Sequence, residues 1–360
     1  MDFSPAHLGL YLGTKFGVPV EIEDVERFGR GVSRMTWFIT FRKDGQNPAS
    51  AAERLVIRID PPAGSVEPTA LDQEYFLYER LGRTDVPVAK ALWWEDAGEW
   101  TDRPFYVREA VEGSWNVPDF LTDDPQFDEW RIAISKEHMR ALAKVHAVDW
   151  QGLGFERYLM APAQAEDCGV NYANAALAQY EGVRGQAVPV VLEAVEWLRD
   201  NAPPAPRICL CKGTNGYGEE VFRDGKIVAL SDWEEASIGD PAADFAFMQY
   251  FAPEINRDGE NIWGMAKALD YYTSVSGIPV TLERVQFYGV IRALRLIIMA
   301  EKCASALHGK SAVADVRMAW TATEVGHVCR QGMLAAMGLS EPPTAQMLAE
   351  FHLSVESQVQ

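Results

Sequence analysis

The stretch from Ile208 to Met248 holds the residues whose types and spacing could do chemistry. The apolar run Ile227-Val228-Ala229-Leu230 reads as a strand that delivers Asp232 to its end. There a carboxylate oxygen on a rigid element can meet a hard cation. The competing reading is an aspartate that merely forms a turn. Upstream, Lys212-Gly213-Thr214-Asn215-Gly216-Tyr217-Gly218-Glu219-Glu220 is a compact turn with regularly placed glycines, one amine, one threonine hydroxyl and two carboxylates. Thr214 can hydrogen-bond a hydroxyl but cannot take up a proton near neutral pH. Downstream, Trp233 reads as core packing. Asp240, before Pro241, reads as a helix cap, and Asp244 as structural.

The elements that must position this segment can be read from period and punctuation. Residues 1–20 form a short helix and a turn. Val25–Ile39 reads as strand, glycine turn, strand, with Gly29 and Gly31 at the turn. There, glycine lets backbone amides approach phosphates, and Ser33 adds a donor; a plain hairpin turn is the alternative. Leu55–Ile59 is a strand stopped by Pro61-Pro62. Leu71–Leu81 is a helix with Leu71, Tyr75, Tyr78 and Leu81 on one face and Glu74 beside it. Strands follow at Ala91–Glu95 and Pro104–Ala110, then a hinge at Val111–Ser114. The remainder is mainly helical: Glu129–His146 with an apolar stripe of Ile132, Ile134, Met139, Leu142 and Val145, Val188–Asn201 ending before Pro203-Pro204, and further helices from about Asp244, Gly259, Leu282 and Ala312. Phe287–Leu307 reads as a buried helix.

Bulk properties narrow the function. A chain of 360 residues can bury one large core or two lobes. A net charge of −19 argues against nucleic-acid or anionic-membrane partners while leaving room for a local cationic pocket. Five cysteines are not a disulfide scaffold. Cys209 and Cys211 share a strand face but have no second Cys/His pair nearby, so they read as buried strand residues more than as metal ligands. No signal peptide or membrane span is read, and a cytoplasmic setting is expected.

In chain order, GRGVSRMTW (29–37), VIRIDPP (56–62), Gln73-Glu74, FYVREAVEG (105–113), LAKVHAVD (142–149) and DWEEASIGDPAAD (232–244) resemble the aminoglycoside-phosphotransferase-like kinases. The likeness is to the branch related to the N-terminal domains of acyl-CoA dehydrogenase fusions. It implies an α+β, protein-kinase-like bilobal fold, with a β-rich nucleotide lobe at 1–111 and a helical lobe at 112–360. It also implies ATP and Mg²⁺ as cofactors and a hydroxylated metabolite or hydroxyacyl-CoA as acceptor, with a homodimer left open. By the same resemblance Gly29, Gly31 and Ser33 approach phosphates. Arg58 stands where kinases hold a phosphate-contacting lysine and is gripped by Glu74. Asp232 and Glu219 hold the metal, and His146 is structural. The chain departs from the family at the catalytic loop. Lys212-Gly213-Thr214 replaces His-Gly-Asp, and Glu219 replaces an asparagine. Lys212, Thr214, Glu219 and Glu220 therefore form the candidate catalytic set. Loss of the aspartate base should cost roughly 10²–10⁴-fold in rate. Two alternatives stand beside a phosphotransferase: an enzyme of another class using Lys212, Glu219 and Glu220, and a non-catalytic pseudokinase that binds a ligand.

Overall fold

The computed structural model describes residues 4–28, 33–47, 49–62, 69–117, 119–183, 188–215, 218–246, 251–308 and 319–341. Gly29 and Gly31, expected to face phosphates, lie outside that set, as does the start of the helix expected from about Ala312. The chain forms two compact units.

The first unit comprises Met1–Met160, Cys209–Ser237 and Met248–Gly277. It opens with α1 (Pro5–Phe16), which starts at the Ser4 cap and ends at Gly17 in the left-handed region. A five-stranded antiparallel sheet follows, built from β1 (Val20–Phe28), β2 (Met35–Lys43), β3 (Glu53–Ile59), β4 (Ala91–Glu95) and β5 (Phe105–Glu109) in the order β1-β2-β3-β5-β4. Strand alternation divides its faces. Ile39 and Phe41, Leu55, Ile57 and Ile59, and Phe105 and Val107 form one core with Leu8, Tyr11 and Leu12 of α1. The residues between them point the other way. Thr36, Arg58 and Tyr106 are directly opposite one another in register, so that second face carries a polar row.

Helix α2 (Leu71–Leu81) buries Leu71, Glu74, Phe76, Leu77, Tyr78 and Leu81. The expected face is thus rotated by a step. Tyr75 is only half-buried, at the rim against Trp94 and Tyr106, while Glu74 turns inward beside Tyr78. Helix α3 (Asp128–His146) packs against the helix Met265–Ser276 and against β6 (Cys209–Cys211) and β8 (Lys226–Leu230). Its apolar stripe also contains buried Ser135, His138 and His146. Strand β7 (Glu220–Arg223) pairs with β8 through Asp224-Gly225, both at positive φ, as the favoured two-residue hairpin turn requires.

A second Asp-Gly turn corrects one expectation. Asp258 and Gly259 also take positive φ, and Ile255–Arg257 pairs antiparallel with Glu260–Trp263. The helix expected from Gly259 therefore begins only at Met265.

The second unit comprises Ala161–Ile208, Ile238–Phe247 and Ile278–Gln360. Its centre is the 27-residue helix Leu282–His308, which buries Phe287, Val290, Ile291, Leu294, Ile297 and Ile298. The helices Asp167–Val183, Pro189–Asp200 and Gly326–Ala336 pack on it. Asp167–Val183 was not expected, because it buries small residues, Cys168, Gly169, Ala173 and Ala176, with only Tyr180 large. The helix expected from about Asp244 is a single turn, Ala242–Phe245. Asp240 accepts from the Ala242 N–H at 2.9 Å and pairs with Arg284 at 3.2 Å, as a cap would.

Candidate active site

The polar row on the sheet supplies the first half of the site. Arg58 donates to Thr36 Oγ1 at 2.8 Å and lies 3.1 Å from Glu74, which also accepts from Tyr106 at 2.8 Å. Alternation on β3 and the inward turn of α2 thus bring together Arg58 and Glu74. Arg34, which sequence reasoning did not single out, completes the cluster. Its guanidinium pairs with Asp60 at 2.8 Å, Glu74 at 3.1 Å and Glu234 at 3.2 Å, and donates to the Thr69 carbonyl. Burial alone would push the Glu74 carboxyl up. Arg58 and Arg34 outweigh it and hold Glu74 below the usual carboxylate range.

Ser33 is placed on a carboxylate. Its hydroxyl lies 2.7 and 2.8 Å from the two oxygens of Glu234. Arg58 reaches the same carboxylate at 3.8 Å. The side chains expected to face phosphates, Ser33 and Arg58, therefore converge on Glu234 of the Asp232-Trp233-Glu234 loop.

The second half is a pair of carboxyls. β8 ends at Leu230, and Trp233 is anchored in the core by its indole N–H, which donates to the Leu230 carbonyl at 3.1 Å. Between them Asp232 takes φ +62°. Asp224 and Asp258 take positive φ in hairpin turns, where it is ordinary; Asp232 has no such turn, and backbone strain of this kind collects at functional sites. The Glu219 carbonyl accepts from the Ser231 N–H at 2.8 Å, so the ladder runs one residue past β7 and brings Glu219 level with the end of β8. The Asp232 carboxyl acts on Glu219 at close range. Burial, then the Asp232 charge, pushes Glu219 well above its ordinary value, against the opposing pull of Lys212. Asp232 is also raised, chiefly by burial, with Arg58 and Lys212 opposing. Two oxygen-donor groups brought together, each resisting ionisation, fit a divalent cation. Its charge would favour the ionised forms of both.

Lys212 is fully buried, and its charge acts on both carboxyls. Its ammonium donates to the Thr214 carbonyl and lies 4.0 Å from Glu220 Oε1. Gly213 is obligatory: its φ is +87°, and a Cβ there would stand 2.4 Å from the Glu235 carbonyl oxygen. Thr214 is buried, and Glu220 is fully buried with Oε1 3.1 Å from His138 Nε2. The expected catalytic residues thus separate. Glu219 joins Asp232, whereas Lys212 and Glu220 form an internal cluster with His138. Sequence reasoning missed His138, although its place in the apolar stripe of α3, four residues from both Ile134 and Leu142, was a visible anomaly. His146 is buried, with Nδ1 2.6 Å from the Tyr272 hydroxyl.

Comparison with known proteins shows the family of the chain. The profile of the phosphotransferase enzyme family (APH) matches residues 24–271, well over half of the chain. The chain belongs to the phosphotransferase enzyme family. Similar sequences include acyl-CoA dehydrogenase family member 11 of Rattus norvegicus, 25% identical over 301 residues. That match covers 77% of this chain and 36% of the relative. The probable acyl-CoA dehydrogenase IBR3 of Arabidopsis thaliana is 25% identical over 289 residues, covering 73% of this chain and 34% of the relative. The phosphotransferase-family chain thus spans about a third of the length of these relatives. Among solved structures, a candidate aminoglycoside phosphotransferase of Ralstonia eutropha superposes with a TM-score of 0.65 at 21% identity, covering 93% of this chain and 98% of that one. A thermostable mutant of aminoglycoside phosphotransferase APH(4)-Ia, in complex with ADP and hygromycin B, gives 0.58 at 14% identity, covering 93% and 99%. These likenesses establish the α+β, protein-kinase-like bilobal fold, with its antiparallel N-terminal sheet and largely helical remainder. No helix among the described residues is long and apolar enough to cross a membrane.

Proposed function

We propose that this protein is an ATP- and Mg²⁺-dependent small-molecule phosphotransferase with an atypical catalytic loop, in which residues 1–111 form the nucleotide lobe and 112–360 the helical lobe. The observation that carries the reading is that the Arg58–Glu74 ion pair and the interacting carboxyls of Glu219 and Asp232 occur in one compact unit. Phosphoryl transfer needs a cationic grip on phosphate oxygens and a carboxylate site for the cation that bridges them. Bound Mg²⁺ would supply neutralisation of charge on the transferring phosphoryl group, held by Asp232 and Glu219. Arg58, fixed by Thr36 and Glu74, presents a preorganised guanidinium for two oxygens. Ser33 donates one further hydrogen bond, exchanging Glu234 for phosphate. Thr214 orients the acceptor hydroxyl, and the hydroxyl proton leaves to a phosphoryl oxygen or to water as the new O–P bond forms and the bond to the ADP leaving group breaks. Transfer then rests on positioning and electrostatics, since the transition state is loose.

The acceptor is a hydroxylated metabolite. Similarity to proteins named for acyl-CoA dehydrogenation makes hydroxyacyl-CoA the class to test first. Mg²⁺-dependent ATP consumption with a panel of hydroxylated substrates should fall at least about 10²-fold in Asp232→Ala. Unchanged turnover in that variant would refute the reading. Thr214 favours a second reading, nucleotide binding without transfer. Stabilisation by ATP with no turnover on any acceptor would select it.

A further inference from the structure

A buried cluster of His138, Glu220 and Lys212 takes no part in that chemistry. His138 on α3 stacks on Phe251 with ring centroids 4.1 Å apart and planes 6° from parallel, which fixes the imidazole. Its Nε2 donates to Glu220 Oε1 at 3.1 Å, and the Lys212 ammonium lies 4.0 Å from that same oxygen. All three side chains are completely buried. Among the described residues, Glu220 Oε2 and His138 Nδ1 are buried with no hydrogen-bond partner. Leaving polar atoms so placed costs folding stability, so a core shaped for stability alone would not contain this set.

Its geometry suggests what it does. Glu220 opens β7, the bond from the Ser231 N–H to the Glu219 carbonyl carries the pairing back to Glu219, and successive side chains along a paired segment point to opposite faces. A slip of one residue would exchange them, putting Glu219 in the core and Glu220 against Asp232. Two backbone features bear on this register, the Ser231 N–H to Glu219 carbonyl bond at 2.8 Å and the pairing of Glu220 with Leu230. Two like side chains in succession would not by themselves select it. The imidazole and the ammonium do, because they offer the inward carboxylate a donor and a cation that a slipped strand would have to find for Glu219. Lys212 also donates to the Thr214 carbonyl, so one ammonium contacts both the start of the loop and Glu220 at its end.

We propose that His138 is a positioning residue which, with Lys212, locks Glu220 inward and thereby presents Glu219 to Asp232 as the second ligand of a divalent cation. The inference rests on the metal reading given under the proposed function and assigns residues to it.

The test is Mn²⁺ titration of the full chain, followed by electron paramagnetic resonance with and without ADP. His138→Ala should weaken Mn²⁺ binding about tenfold or more, as loss of support behind a metal ligand does. His138→Gln, which keeps an N–H donor for Glu220, should remain within about threefold of the parent. If His138→Ala does not fold, His138→Phe retains the stack on Phe251 while deleting the donor, and should show the same loss. Asp232→Ala separates the two levels of inference. Binding by the parent that Asp232→Ala does not reduce, or no binding by the parent in either condition, overturns the metal reading and this proposal with it. Binding that is lost in Asp232→Ala but stays within threefold in the donor-deleted variant overturns only the role of His138. So does equal weakening in the Ala and Gln variants, which would mean general loosening of the loop.

Discussion

Asp232 and Glu219 keep their protons to higher pH in the folded chain than their ordinary values of 3.8 and 4.5. The sign of the consequence follows by linkage. Above those values the unfolded carboxyls ionise first, the folded state binds more protons, and stability falls with rising pH until the folded pair ionises too. A divalent cation that replaces those protons should be worth more as pH rises. Mg²⁺ is therefore expected to raise the melting temperature more at pH 8 than at pH 5.5, and Glu219→Gln should flatten that difference. A Mg²⁺ effect independent of pH in the parent would count against cation binding at this pair. Glu74 behaves in the opposite sense. Held below its ordinary 4.5 by Arg58 and Arg34, it contributes stability that is present above that value and lost on acidification. Glu74→Gln leaves two buried guanidiniums short of a charge and should cost about 3–5 kcal/mol in urea unfolding. A cost below about 1 kcal/mol would show that Glu234 and Asp60 suffice.

At the scale of elements, backbone geometry sets the tolerance of the loop. Gly213 combines positive φ with close approach to the Glu235 carbonyl, so Gly213→Ala should destabilise by roughly 1–3 kcal/mol and reduce Mn²⁺ affinity. Retention of both would mean that the loop relaxes around the added carbon. The same scale explains what could be read in advance. Alternation in Leu55–Ile59 gave away β3 and the side of Arg58, because a period of two is a local property. The Asp224-Gly225 hairpin was legible between two strand-like runs. Asp258-Gly259 was not, since Ile255–Arg257 and Glu260–Trp263 are short and only weakly apolar. Asp167–Val183 escaped notice because alanine and glycine give no apolar stripe. The contacts of Arg34 with Glu74 and Glu234, 40 and 200 residues away, carry no local signal. For His138 a signal existed, but a histidine within an apolar stripe is more often a satisfied core residue than a support for a distant carboxylate.

For the whole molecule, charge is the property that reaches furthest. The chain carries −19, and the Arg34–Arg58 cluster offers no cationic excess, because Glu74, Glu234 and Asp60 accompany its two guanidiniums. An anionic nucleotide therefore approaches against the field, which salt screens over about 10 Å at 0.1 M. Association of ATP followed by stopped flow should accelerate, by about twofold, between low and moderate ionic strength. Slowing over that range would reveal a local attractive patch that outweighs the net charge.

One contact joins distant parts of the first unit. Ser114 and Phe222 exchange both backbone hydrogen bonds at 2.8 Å, and Gly113, at φ +149°, passes so near that a Cβ would lie 2.5 Å from the Phe222 carbonyl oxygen. The segment leaving the sheet is thereby fastened to the strand that begins with Glu220. Its amide protons should exchange with deuterium in step with those of β7, so the loosening of that strand would be readable a hundred residues earlier in the chain.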